Sequence, residues 1–109
     1  MSESLPLTPR IPVLITGAAA GAPGEWKLRT GNAWSYQLSV AGTGAVTAAA
    51  TIEVSNDGVT ALPFGSLSAS GTNSAGDGIN GYAAYAYHRA TITAITGTGA
   101  IATITAAGV

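Results

Sequence analysis

Strict alternation of apolar and polar residues is the clearest pattern in this chain. From Trp34 to Val40, aromatic and aliphatic side chains occupy the even positions, and Ser or Gln occupies the odd positions. From Val46 to Val54, the even positions are again apolar, and the odd positions include Thr47, Thr51 and Glu53. Successive side chains of a strand point to opposite faces, so a period of two predicts half-buried β-strands.

Glycine-rich segments separate the predicted strands. Gly42-Thr43-Gly44 lies between the two alternating runs, and a nearly identical segment recurs at Gly97-Thr98-Gly99. Two period-two runs flanking a glycine-rich tip predict a β-hairpin. We interpret the two copies as two hairpins that use the same turn chemistry, rather than as halves of a duplication. Asn56-Asp57-Gly58 predicts another turn, and the Ser-, Gly- and Asn-rich stretch 68–81 predicts the longest loop.

Turn signals about every ten residues bound six to eight short predicted strands. Besides the two alternating runs, strands are expected near 13–15, 25–29, 62–67, 82–96 and 101–106. This spacing predicts an all-β fold: an antiparallel, jelly-roll-like β-sandwich of roughly seven strands. The predicted organisation is an extended arm over residues 1–12 and a single β-sandwich domain over 13–109.

The predicted arm is defined by prolines at Pro6, Pro9 and Pro12. A spacing of three places them on one edge of a polyproline II helix, and the missing N–H groups exclude a central strand. Two interpretations remain open: an arm that lies along a neighbouring subunit, or a frayed chain end. In the first interpretation, Arg10 and the three prolines are candidate interaction residues.

Charge is sparse, with four basic and five acidic residues among 109. Soluble domains carry charge on about a quarter of their residues, so this surface is expected to be covered by other protein. Small side chains lose little rotamer entropy when they are covered. The charge-free stretches 30–52, 58–76 and 90–109 are the expected contact regions. A compositional bias of the genome is the alternative explanation.

The same composition argues against several classes of partner. Four basic residues are too few for the phosphate-neutralising face that nucleic-acid binding requires. The uncharged stretch 90–109 is long enough for a membrane helix, but its threonines and its glycine-rich interruption favour paired strands. We therefore expect neither a nucleic-acid partner nor a membrane partner. The absence of cysteine excludes disulfides and thiolate metal sites.

No constellation of residues indicates catalysis. The single histidine, His88, would need a nucleophile and an orienting carboxylate, and no spacing brings Glu53, Asp57 or Asp77 to it. Asp57 and Asp77 both precede glycine, which is typical of structural residues in turns. A Gly-x-Gly-x-x-Gly match at 76–81 lacks the β-α-β context of a nucleotide site. We therefore expect no enzyme activity, no metal and no cofactor.

The aromatic residues allow two interpretations. A tyrosine-rich segment, with Tyr82, Tyr85 and Tyr87, could join Phe64 and the two tryptophans in a platform that stacks on sugar rings, or these aromatic residues supply volume to a core poor in large side chains. Alternation places Tyr85, Tyr87 and Arg89 on one face. Arg89 is expected to cap or stack on this tyrosine row. These four residues are the remaining candidate interaction residues.

Two segments carry a resemblance to a known group of proteins. They are Ile-Glu-Val-Ser-Asn-Asp-Gly at 52–58 and Tyr-His-Arg-Ala-Thr-Ile-Thr-Ala-Ile-Thr-Gly-Thr-Gly-Ala at 87–100. From Trp34 onward the chain resembles small tailed-bacteriophage virion β-sandwich proteins of the capsid decoration, or cement, type. The resemblance implies a structural protein on the outer capsid surface, made in the host cytoplasm. Its implied partners are the major capsid protein and itself, as a dimer or trimer. A carbohydrate-binding or structural module of a tail fibre or baseplate is the alternative.

Overall fold

The computed structural model describes residues 13–28, 33–82 and 85–108, and these form five β-strands. The strands are β1 (Val13–Gly17), β2 (Lys27–Leu28), β3 (Ala33–Ser55), β4 (Leu62–Tyr82) and β5 (Tyr87–Gly108). Every pairing is antiparallel, in the order β1-β5-β3-β4, and β2 also pairs with β5. The prediction of an all-β, antiparallel protein is confirmed. The predicted arm, with Pro6, Pro9, Arg10 and Pro12, lies outside the described residues.

The three long strands are folded across their middle. A straight strand of 23 residues such as β3 would span about 73 Å, at about 3.3 Å per residue, yet the longest dimension of the molecule is 45 Å. The ring of Trp34, near the start of β3, lies 4.6 Å from that of His88, which pairs with Val54 near the end of β3. The two halves of the sheet therefore face each other.

We name the two halves and the bend between them. The first layer contains β1 and residues 33–41, 74–82 and 101–108. The second layer contains β2 and residues 45–55, 62–72 and 87–96. The crease is the bend that joins them, at residues 42–44, 73 and 97–99. The end of each layer opposite the crease is called the open end.

The two Gly-Thr-Gly segments are bends inside strands, so the prediction that they are hairpin tips is wrong. Each side of the bend pairs with neighbouring strands and not with the other side. Thr43 pairs with Thr98, so the two copies lie side by side in the crease. The backbone φ angles are 77° at Gly44, 128° at Gly97 and 64° at Gly99, and residues other than glycine rarely adopt such values. The repeat therefore reflects one bend made in two adjacent strands.

The predicted loop at 68–81 belongs to β4, which is a second correction. Asn73 supplies the bend in this strand, with φ at 65°, and its side-chain oxygen accepts a hydrogen bond of 2.8 Å from the N–H of Gly44. Only Leu67 of β4 is buried, so this strand lacks the apolar alternation that would identify it. The predicted turn at 56–58 does separate two strands. Five strands replace the predicted seven because segments expected to be turns continue the ladder.

The core lies between the layers and follows the predicted alternation. The even positions of β3 from Trp34 to Val40 and from Val46 to Val54 are all buried. Even-numbered side chains therefore point into the core on both sides of the crease. Leu38, Ile52 and Ile104 are fully buried. Burying side chains of this size stabilises a fold by about 1.5–3 kcal/mol each. The apolar pattern therefore predicts the inner face correctly, although it does not show how that face closes.

A strap, residues 18–26, crosses from β1 in the first layer to β2 in the second. The N–H groups of Gly21 and Gly24 donate to the carbonyls of Ile92 and Ala90 at 2.9 and 2.8 Å. A Cβ on Gly24 would lie 2.7 Å from the carbonyl oxygen of Leu14, so only glycine allows this close approach. The strap thereby supplies hydrogen bonds to β5 where the second layer would otherwise end.

Replacing Gly97 with Ala will test the crease. The new Cβ would lie 2.8 Å from Cγ1 of Val46 and 3.0 Å from the carbonyl oxygen of Ala45, at a φ that disfavours any Cβ. We expect the free energy of unfolding, measured by urea denaturation, to fall by about 3 kcal/mol.

The matched control is Gly78→Ala. Its Cβ would meet its nearest neighbour, the carbonyl oxygen of Tyr36, at an ordinary 3.5 Å. This variant is expected to keep its stability or to gain up to about 1 kcal/mol. Equal losses in the two variants would contradict a special requirement for glycine at the crease.

Candidate interaction surface

The outer face of the first layer is broad, and none of the described residues that point outward from it is charged. The residue pairs that face outward alternate with buried ones: Ser35 lies opposite Asn80 and Ala107, whereas the neighbouring Tyr36 is buried. We call this surface the neutral face. Its residues are Thr16, Ser35, Gln37, Ser39, Ala41, Ser74, Gly76, Gly78, Asn80, Ile101, Thr103, Thr105 and Ala107.

The size and chemistry of the neutral face suit contact with another protein. Three segments of eight or nine residues and the five-residue β1, about 4.8 Å apart and rising about 3.3 Å per residue, give roughly 500 Å² of nearly flat surface. A shallow groove of about 540 Å³ lies on it, bordered by Gln37, Gly78 and Thr105. Its hydroxyl and amide groups donate and accept hydrogen bonds. Asp77 also lines the groove, and its carboxylate is already held by the backbone N–H groups of Ser68 and Gly78, so covering the surface leaves this charge with partners. The structure thus brings parts of the three charge-free stretches onto one surface.

The second layer differs because charged side chains lie on and beside it. Nε of Arg89 donates to Oε1 of Glu53 at 2.8 Å, and the guanidinium carbon lies 4.4 Å from the ring centre of Trp26. A partly exposed cation–π contact stabilises by about 0.5–1 kcal/mol. Arg89 was expected to cap or stack on the tyrosine row, and its stacking partner here is Trp26. Its contacts fasten the end of the strap to the sheet.

The three candidate tyrosines lie on different layers. Tyr82 ends β4 in the first layer and is 83% exposed. Tyr85 and Tyr87 are half-buried near the start of β5 in the second layer, and the ring of Tyr87 approaches Gly58. Tyr87 and Arg89 share one face of β5, as predicted, and this face is the outer one, since they lie opposite Ser55 and Glu53. Tyr82 is therefore the exposed aromatic residue of this group.

A cluster of rings at the open end, which we call the buried cluster, consists of the buried Trp34, Tyr36 and His88 and the half-buried Phe64. The hydroxyl of Tyr36 and Nδ1 of His88 are 3.0 Å apart and hydrogen bonded. The rings of Trp34 and Phe64 lie edge-on to His88 and Tyr36, at 4.6 and 5.5 Å respectively. The interpretation as core volume holds for Trp34, which is buried, and in part for Phe64, which is half-buried against the core; Tyr36 is buried as its alternation predicts. Alternation alone places His88 inward, but its bond to Tyr36 depends on the folded sheet.

Asp57 organises the loop between β3 and β4. Its carboxylate accepts hydrogen bonds from the hydroxyl of Ser55, the backbone N–H groups of Val59 and Thr60, and the hydroxyl of Thr60, all at 2.7–2.9 Å. These donors, with Ser55 first, lower the pKa of Asp57 well below its ordinary value. The predicted structural role of Asp57 in a turn is confirmed.

Asp77 lies within β4 and not in the predicted turn. Its carboxylate accepts from the backbone N–H groups of Ser68, at 3.0 Å, and Gly78, at 2.9 Å. It therefore links the two halves of β4 across the open edge of the sheet.

Within 13–28, 33–82 and 85–108, no group of three His, Cys, Asp or Glu residues is arranged to hold a metal ion. The same residues include no apolar helix of membrane-spanning length.

Comparisons with protein families, with curated proteins and with solved structures give no match to this chain.

Replacing Tyr36 with Phe will test the buried cluster. The variant keeps the ring but removes the hydroxyl that bonds Nδ1 of His88, which is only 1% exposed. We expect the free energy of unfolding to fall by about 1–3 kcal/mol. Tyr82→Phe, which removes an exposed hydroxyl, is the control and should leave stability unchanged. A harmless Tyr36→Phe substitution would show that the bond contributes nothing.

The loop of Asp57 predicts a defined dependence of stability on pH. Folding lowers the pKa of Asp57, so its ionised carboxylate stabilises the folded state. This contribution to the free energy of unfolding is complete at pH values above the ordinary pKa of 3.8 and is lost as the pH falls below it. The stability difference between the wild type and Asp57→Asn should therefore shrink between about pH 5 and pH 2. Urea denaturation across this range measures it, and a difference independent of pH would contradict the assignment.

Proposed function

We propose that this chain is a structural virion protein of the capsid decoration, or cement, type. It binds across adjacent major capsid protein subunits on the outer surface of a bacteriophage head. The neutral face is the observation that carries this proposal, together with the resemblance of residues 52–58 and 87–100 to such proteins. In this proposal, the folded antiparallel sheet with its two facing layers takes the place of the small β-sandwich that the resemblance implies.

The chemistry of the neutral face supports a permanent structural contact. Hydroxyl groups such as those of Thr16 and Thr103 already bond each other at 2.9 Å, so part of the face is ordered before binding. Rigid, small side chains lose little entropy on association. Without charged groups in the contact, binding should depend only weakly on salt. A decoration protein that must stay attached under varying ionic conditions needs these properties.

Binding to capsid shells that lack decoration will test this function. We expect stoichiometric binding by the wild type, measured by co-sedimentation. Ser39→Lys, at the centre of the neutral face, should weaken it at least tenfold because a charge must then be desolvated. Ala94→Lys places the same charge on the exposed outer face of the second layer and should leave binding unchanged.

Circular dichroism establishes that both variants are folded before their binding is compared. Failure of the wild type to bind any shell rejects the function, and equal losses in the two lysine variants reject the neutral face as the contact.

A second candidate is a carbohydrate-binding module of a tail fibre or baseplate. It is favoured by the exposed ring of Tyr82, which lies beside a cavity of about 340 Å³ that Ser35 and Asn80 also line. Glycan binding that depends on Tyr82 would support this second function.

A further inference from the structure

The outer edge of β4 is open along most of a 21-residue strand. β3 lies between β4 and β5, and β5 lies between β3 and the short strands β1 and β2. Within the described parts of the chain, β4 pairs only with β3. We propose that this edge pairs antiparallel with β4 of a second copy of the chain, giving a dimer with twofold symmetry. The proposal does not depend on capsid binding.

The direction of the free donors follows from one hydrogen bond. The N–H of Ser68 donates to the carboxylate of Asp77, so it points away from β3. Alternate residues of an antiparallel strand direct their N–H groups to the same side. The ladder is regular from Gly65 to Thr72, so the N–H groups of Ser66 and Ser70 also point outward. Both residues are exposed. They present donors in the spacing that an added strand requires.

The opposite edge of the sheet is treated differently. There the strap bonds the carbonyls of Ala90 and Ile92, and β1 and β2 are only five and two residues long. Short strands and covering segments are the usual protection against pairing between molecules. On β4, Pro63 lies at the start of the strand and Asp77 occupies two donors, which leaves Ser66 and Ser70 open. One edge is therefore protected and the other is available.

A second β4 is the partner that fits this edge. β3 and β5 are already flanked on both sides, and β1 and β2 are too short. The segment 1–12 has prolines at every third position from Pro6 to Pro12 and lacks the donors of a pairing strand. Pairing identical edges about a twofold axis also leaves no free edge for a further copy. The only charged residue of β4 is Asp77, whose carboxylate is held by two backbone donors, so no row of like charges opposes association.

The edge supplies most of the area that a stable contact needs. Twenty residue steps of about 3.3 Å and a sheet about 10 Å thick give roughly 660 Å² for each copy. Stable interfaces bury about 800 Å² for each partner. Side chains that flank the β4 edge add to this area when the two sheets meet.

Sedimentation velocity over about a hundredfold range of concentration will test the dimer. We expect the wild type to dimerise and Ser70→Pro to weaken the dimer at least tenfold, because proline removes an outward N–H without removing a bond to β3. The matched control is Ser70→Ala, which removes the hydroxyl but keeps the N–H and should dimerise as the wild type does.

Amide hydrogen exchange of the wild type provides a test that needs no variant. Protection of the Ser66 and Ser70 amides should rise with concentration as the dimer forms, and an amide bonded to β3 should not respond. A monomer at every concentration, or a dimer in which these two amides remain unprotected, overturns the proposal. A monomer that still binds capsid shells rejects the edge contact alone, whereas a dimer that ignores shells rejects only the proposed function.

Discussion

The bend at the crease is the constraint on which the rest of the structure depends. Three adjacent strands turn at the same level, and the turn places backbone at positive φ in each of them, at Gly44, Asn73, Gly97 and Gly99. Residues with a Cβ are strained in this conformation, and glycine and asparagine tolerate it best. Without the bend, Trp34 and Val54 would lie some 66 Å apart on one strand, and the inner faces would be exposed to water.

Closing the sheet on itself concentrates the large side chains inside and leaves small ones outside. The buried cluster of Trp34, Tyr36, Phe64 and His88 fills the open end, where the two layers are held only by side chains and by the loops between strands. Because these rings supply the core with volume, the outer face of the first layer can consist mainly of Ser, Thr, Gly and Ala. The neutral face is thus compatible with a stable fold, although it lacks the charges that normally keep soluble proteins apart.

Local patterns predict some features of this molecule and not others. Alternation identifies Leu38 and Ile52 as core residues because a period of two survives the bend. It does not distinguish a hairpin tip at residues 42–44 from a bend within a strand, because both require glycine at positive φ, and only the distant partners decide. Residues 68–81 of the edge strand β4 escape recognition because small residues give them no apolar period, whereas the start of the strand, at 62–67, is predicted. The bond between Tyr36 and His88 joins residues 52 positions apart, beyond any local signal.

The position of β1 determines when the fold can be completed. Val13, at the start of the first described strand, pairs with Thr105 near the end of the last. During synthesis, β1 therefore has no partner until residues 102–105 of β5 have left the ribosome. β3 likewise waits for β4 and β5 along its full length. Pairing between such distant segments forms slowly, and the newly made chain exposes its apolar faces until β5 has been synthesised and has paired.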